Sequence, residues 1–428
     1  MLQTDNKIEL KRYGTDKGLN IISIKTDKFK TNSINLFFHN QLDQSTVTQN
    51  ALLPMVLRRG SKDYPTMQDI SKKLEQLYGS FFDCGVVKKG ERQILHFYID
   101  GVNDKYLETG DKLFEPLAHM LNSIAYNPLL RDGKFNDEYV QQEKENLAKQ
   151  IEGRINDKLQ YAVERCYELM CADERYGIHE WGKVEDLQKI DGSIMGDRYN
   201  DIINTSKIDL VVLGDIEDQW IERLEKIIGI KTNSSKDIKT ENVHKDVKEV
   251  RTFVEDMDVN QGKLSMGFRT NVGPTDPDYY SLIVYCSILG GGAHSKLHQN
   301  VREKASLAYY AFARIEKLKG LMMIGSGIEA DKYERAKEII LKQVNEIKEG
   351  IISDFEYESS IKTLVNGLRS MADEPIQMVD FFLTQSILGS NNDFDTVINK
   401  IKEVKPDDVK KVARNVQLDT IHFIKPKK

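Results

Sequence analysis

The sequence predicts an α+β fold of two homologous domains, each an antiparallel-rich sheet covered by helices. Three observations predict it. Strand and helix patterns recur in the same order in the two halves of the 428-residue chain. Local matches fall at one offset: Asp104-Lys105-Tyr106 and Asp331-Lys332-Tyr333 each open a helical pattern, Leu74 falls on Val301, and Ile94 falls on Leu321. A polar, aperiodic stretch at 231–249 separates the halves and reads as a linker. Self-similarity on this scale means two copies of one unit. The domains are therefore expected at 1–230 and 250–428.

In chain order, residues 8–25 and 33–40 read as strands, the second centred on Leu36-Phe37-Phe38. A helix is expected over 46–57. Thr66 caps another through Ile70, Leu74 and Leu77, and Gly79 stops it. Residues 80–88 and 91–100 read as paired strands joined by Lys89-Gly90. Long helical patterns fill 104–125 and 135–172, and Pro116 is expected to kink the first. A strand with a nearly continuous apolar core follows at 208–214, then a short helix carrying Trp220, Leu224 and Ile228. In the second half Leu264, Met266 and Phe268 alternate as in a half-buried strand. A helix over 276–289 precedes a strand pair at 307–316 and 319–328. Helices are expected at 330–348, 354–373, 376–388 and after Pro406, and a strand at 419–424 closes the chain. That strand corresponds to the one around Asp209.

Composition narrows the function classes. Hydrophobic content of 40% and charged content of 30% fit an ordinary globular protein. A net charge of -6 gives no basic footprint, which argues against a nucleic-acid partner. No apolar run approaches the length of a membrane span, and residues 1–7 lack the apolar core of a signal peptide. The four cysteines, Cys84, Cys166, Cys171 and Cys286, form no Cys-x-x-Cys pair, so a zinc ribbon or redox motif is not supported. Few cysteines and no export signal point to the reducing cytoplasm.

The chemistry-bearing stretch is 288–312. Gly290, Gly291 and Gly292 end an apolar helix, with a backbone free to take positive φ or to approach a ligand closely. A short helix at 295–304 follows, with Leu297 and Val301 one turn apart, and then the strand from Leu307. Arg302 and Tyr309 flank the junction. A guanidinium and a phenol placed there suit a peptide carbonyl or carboxylate; the plain alternative is a surface arginine and a half-buried tyrosine. His294 and His298 share one helix face at i, i+4, but no acid lies between them, and surface histidines are the simpler reading. The glycines match neither phosphate-loop pattern, and Ser306 lacks a nucleophile elbow.

The order Leu289-Gly290-Gly291-Gly292, Val301-Arg302-Glu303-Lys304 and Leu307-Ala308-Tyr309 resembles the insulinase and pitrilysin peptidase superfamily, as do Leu210–Asp215 and the helix over 401–414. The resemblance covers nearly the whole chain. It implies a LuxS/MPP-like metallohydrolase fold and a zinc motif His-x-x-Glu-His on the helix over 46–57. Aligned on Arg59-Gly60-Ser61, Ala51 and Met55 stand at the histidines and Pro54 at the glutamate. Gln150 matches the third ligand. Alanine and proline offer no ligand, and thioether and amide are poor ones for zinc. The resemblance therefore implies a catalytically inactive member with no metal and no cofactor. In two-subunit relatives the inactive subunit supplies an arginine and a tyrosine to its partner's substrate, and Arg302 and Tyr309 fall on those positions. An active zinc-bearing homologue, or a second copy of this chain, is the expected partner, with an extended peptide between. A stand-alone structural homodimer and a peptidase with an unrelated ligand set are the alternatives. The subgroup that the chain resembles is the non-catalytic bacterial proteins associated with the 5-aminopentanol modification of elongation factor P.

Overall fold

A computed structural model describes residues 8–14, 19–229 and 235–427. Residues 15–18 of the expected first strand region, residues 1–7, and 231–234 of the expected linker lie outside the described residues. Residues 235–250 form neither helix nor strand. Two compact units emerge. The first takes the described residues up to Glu152, His179–Lys239 and Val379–Leu383. The second takes Gly153–Ile178, Thr240–Met378 and the described residues from Thr384.

Among the described residues the first unit carries a six-stranded sheet. Its strands are β1 (Glu9–Gly14), β2 (Leu19–Lys25), β3 (Thr31–Gln41), β4 (Phe81–Lys89), β5 (Arg92–Val102) and β6 (Lys207–Gly214). They lie in the order β1-β2-β6-β3-β5-β4, and β2 with β6 is the parallel pair. Alternation sends Ile34, Leu36 and Phe38 of β3, Leu95, Phe97 and Ile99 of β5, and Leu210 and Val212 of β6 into one core. The helices Val47–Leu57 and Phe114–Tyr126 cover that face with Leu52, Leu53, Leu117 and Leu121. Burying each such leucine is worth about 1.5–3 kcal/mol. The central β6 is buried from Ile208 to Gly214, which explains its continuous apolar run.

The second unit repeats the plan. Strands β7 (Arg251–Met257), β8 (Gly262–Arg269), β9 (Ala308–Glu316), β10 (Leu321–Ile328) and β11 (Gln417–Pro426) lie in the order β7-β11-β8-β10-β9. Here β7 with β11 is the parallel pair. Strand β11 occupies the place of β6, and β9 the edge place of β4. Buried polar contacts to an aspartate recur at matching places. His39 Nε2 of β3 lies 3.2 Å from Asp209 Oδ2 of β6. Arg269 Nε of β8 donates to Asp419 Oδ2 of β11 at 2.9 Å.

Several sequence expectations need correction. Pro116 does not kink a helix over 104–125. A 3-10 turn at Asp104–Tyr106 comes first, and the helix Phe114–Tyr126 then begins close enough to Pro116 that its missing N–H falls among the unbonded donors of the first turn. The pattern over 135–172 is two helices, Asp137–Gly153 and Lys158–Met170, broken by a 3-10 turn at Arg154–Asn156. The second of them belongs to the second unit. Its Ala162, Cys166 and Met170 are fully buried. Gly267 of β8 makes room, because a Cβ there would meet Met170 Sδ at 2.6 Å. Three helices, Val184–Leu187, Gly192–Thr205 and Phe394–Glu403, and strand β7 are not expected from the sequence.

Candidate substrate-binding segment

The helix Val47–Leu57 is anchored by buried polar contacts. Asn50 donates to Gln93 Oε1 at 2.7 Å and accepts from Arg198 Nε at 2.6 Å. Ala51 and Pro54 are buried and Met55 is half-buried. Pro54 sits inside the helix, so the Asn50 carbonyl loses its usual intrahelical donor. The Cys84 thiol of β4 donates to the Pro54 carbonyl at 3.2 Å, and burial pushes its pKa up to about 12. It is therefore an inert packed thiol at neutral pH. Gln150 is exposed on the helix Asp137–Gly153. The buried carboxylate on that helix is Glu143, which pairs with Arg59 and accepts from Asn146 Nδ2 at 3.0 Å. The residues that the resemblance sets at zinc-ligand positions do not fit the metal. Ala51 and Pro54 carry no donor atom, and no group of three or more His, Cys, Asp or Glu suited to a metal occurs among the described residues.

The second unit carries the other candidate residues. The helix Tyr279–Gly290 ends at the three glycines, none of which adopts positive φ. Gly290 is required for close packing instead: a Cβ there would lie 2.2 Å from the Ala313 nitrogen of β9. Gly291 and Gly292 are exposed. The expected short helix is a π-helix over His298–Lys304. It packs on β9, and β9 is an edge strand. Asn300 fastens it by donating to Gln343 Oε1 at 2.8 Å. Lys296, just before it, is buried against Glu356 at 3.1 Å.

Three irregularities follow one another within this short stretch. The π-turn widens the helix. Ser306 adopts φ 51, a conformation worth about 1–3 kcal/mol of strain in a non-glycine residue. The β9–β10 register then slips: Gly327 faces Tyr310 and Ile328 faces Ala308, leaving Tyr309 as the extra residue of a bulge. As a result Tyr309 is 68% exposed on an edge strand. Arg302 is half-exposed, its Nη1 3.1 Å from His298 Nε2. Five guanidinium N–H donors, a phenol and an unpaired strand edge are the groups that grip extended peptide.

The histidines are not a pair. His294 is buried, its Nε2 2.9 Å from Ser360 Oγ, and burial lowers its pKa. His298 turns to Arg302 instead. Sequence reasoning missed the supports of the strand. Tyr310 and Phe312 lie over Gly327 and Gly325 of β10, where a Cβ would meet each ring at 2.4 Å. The aromatic-over-glycine pattern across 310–327 is a signal that could have located this face.

Residues 196–364 match a family described as the peptidase M16 inactive domain. A "Probable inactive metalloprotease YmfF" of Bacillus subtilis (strain 168) is 34% identical over 416 residues, 95% of this chain and 96% of that one. A conserved protein from Enterococcus faecalis V583 superposes with a TM-score of 0.89 at 26% identity, covering 98% of this chain and 99% of its own. The peptidase M16 inactive domain from Pseudomonas fluorescens superposes at 0.77 with 15% identity over 98% of both chains, a likeness of fold alone. At 34% identity along nearly its whole length, the chain belongs to the insulinase-type M16 peptidase family, as a non-catalytic member.

Proposed function

We propose that this chain is the substrate-binding and regulatory subunit of an active, zinc-bearing homologous peptidase. The observation that carries the reading is the bulged edge of β9, where Tyr309 stands 68% exposed beyond the π-helix of Arg302. An extended peptide pairs with the strand edge while Arg302 and Tyr309 hold a carbonyl or carboxylate. The positions of Ala51, Pro54, Met55 and Gln150 support the loss of the zinc site and the need for a partner that supplies it. The link to elongation factor P modification, and a cytoplasmic setting, rest on resemblance and composition. No helix among the described residues is long and apolar enough to cross a membrane.

The test is to co-purify the chain with a homologue bearing His-x-x-Glu-His and to follow cleavage of a quenched fluorescent peptide. Arg302→Ala and Tyr309→Phe leave the complex intact on size exclusion. They lower its turnover by at least about tenfold, a conservative bound for the loss of a transition-state donor. Unchanged kinetics in an intact complex would return both to a surface arginine and a strand tyrosine. Self-association without any such homologue would favour the homodimer instead. Alone, the chain is expected to retain no stoichiometric zinc after mild chelation and to cleave nothing; zinc near one per chain with chelator-sensitive hydrolysis overturns this.

A further inference from the structure

We infer that His298 is a positioning residue that aims the Arg302 guanidinium, an inference that rests on the peptide-binding reading above. The two side chains meet at 3.1 Å between His298 Nε2 and Arg302 Nη1. A guanidinium only donates, so His298 Nε2 is the acceptor of this contact. The Nδ1 of the same ring is enclosed and has no partner, so the ring gains nothing on its other side. The contact to Arg302 is what the imidazole contributes here. Glu303 faces the guanidinium from the other side of the fork, its Oε1 3.7 Å from Arg302 Nε. The π-turn accounts for the grouping, since its wider ladder sets residues at i+4 and i+5 beside His298 at once.

The physical consequence is pre-organisation. A free arginine samples many rotamers and loses that freedom when it grips a ligand. His298 takes one N–H of the fork and restrains the guanidinium, so less freedom is lost on binding. His298 touches no reacting atom in this scheme and acts only through Arg302. The base of the π-helix is fixed separately, by Lys296 on Glu356 and Asn300 on Gln343. Removing the imidazole therefore should not unfold the segment.

The experiment measures binding of fluorescein-labelled casein, an unfolded polypeptide, to the full chain by anisotropy, with thermal melts beside it. Arg302→Ala should weaken binding at least about tenfold, and His298→Leu about three- to tenfold with an unchanged melting temperature. His298→Gln, whose amide oxygen still accepts from the guanidinium, should restore near-normal binding. The double variant His298→Leu with Arg302→Ala should bind no worse than Arg302→Ala alone, because the two act through one group. If Arg302→Ala weakens binding while His298→Leu does not, the positioning role falls and the peptide-binding reading stands. Equal losses in His298→Leu and His298→Gln mean a packing role and also overturn it. If the wild-type chain fails to bind casein, or Arg302→Ala binds it normally, the peptide-binding reading itself falls.

Discussion

Ala51, Pro54 and Met55 lie on one turn of the helix Val47–Leu57, the first two buried and Met55 half-buried. The nearby thiol of Cys84 is committed to the Pro54 carbonyl, and the Glu143 carboxylate to Arg59 and Asn146. Ligands need such supporting partners, whose loss typically lowers metal affinity or activity by about 10–100-fold. The four-fold variant Ala51→His, Pro54→Glu, Met55→His, Gln150→Glu should therefore bind zinc by metal analysis yet show no peptide hydrolysis. Turnover typical of active homologues in that variant would show that the scaffold had kept its supports.

Gly290 shows how an element is held by a single missing atom. The helix Tyr279–Gly290 runs into β9 so closely that any side chain at its last residue meets the Ala313 backbone at 2.2 Å. Backbone cannot swing aside as a long side chain can. Gly290→Ala should destabilise the chain by about 1–3 kcal/mol, read from urea melts, through overpacking and displacement of β9. Gly292→Ala is the control, since its Cβ would meet only the His294 ring at 3.4 Å. Equal stability of the two variants would remove the packing explanation. The same displacement should blunt the Tyr309 bulge, so Gly290→Ala should also weaken casein binding.

At the scale of the whole molecule, Glu174 on the segment Gly153–Ile178 of the second unit gathers cations from three distant parts of the chain, Lys245, Arg269 and Lys319. Burial pushes its pKa up, but hydrogen bonds from Arg269, Lys245 and Lys319 outweigh this and bring it from 4.5 to about 2. Arg269 and Lys319 are themselves 1% exposed. A carboxylate with a depressed pKa stabilises the fold at neutral pH, and that stability is lost as pH falls through its folded pKa. The melting temperature should accordingly drop as pH falls from about 4.5 towards 2. Glu174→Gln should flatten this acid limb. At pH 7 the same change removes the charge facing Lys319 and one of the two carboxylates facing Arg269, which keeps Asp419, at a cost of about 1–3 kcal/mol. An acid limb as steep in Glu174→Gln as in the wild type would assign the acid sensitivity to other carboxylates.

The class of fold, its duplication and most of its elements are legible in the linear chain. Those depend on local periodicity and turn chemistry, as with the Thr66 capping box and the hairpin glycine Gly90 at φ 57. The sequence also marked Arg302 and Tyr309, because their spacing survives in the linear chain. That Gly290 serves packing and not a left-handed turn emerges from the folded chain, since the neighbour it admits lies in β9. Tertiary structure likewise assigned Lys158–Met170 to the second unit, through contacts with Gly267, Ser265 and Thr420 far along the chain. The exposure of Tyr309 was hidden for the same reason. A bulge is a property of two strands in register, and a sequence read one strand at a time carries no register between them.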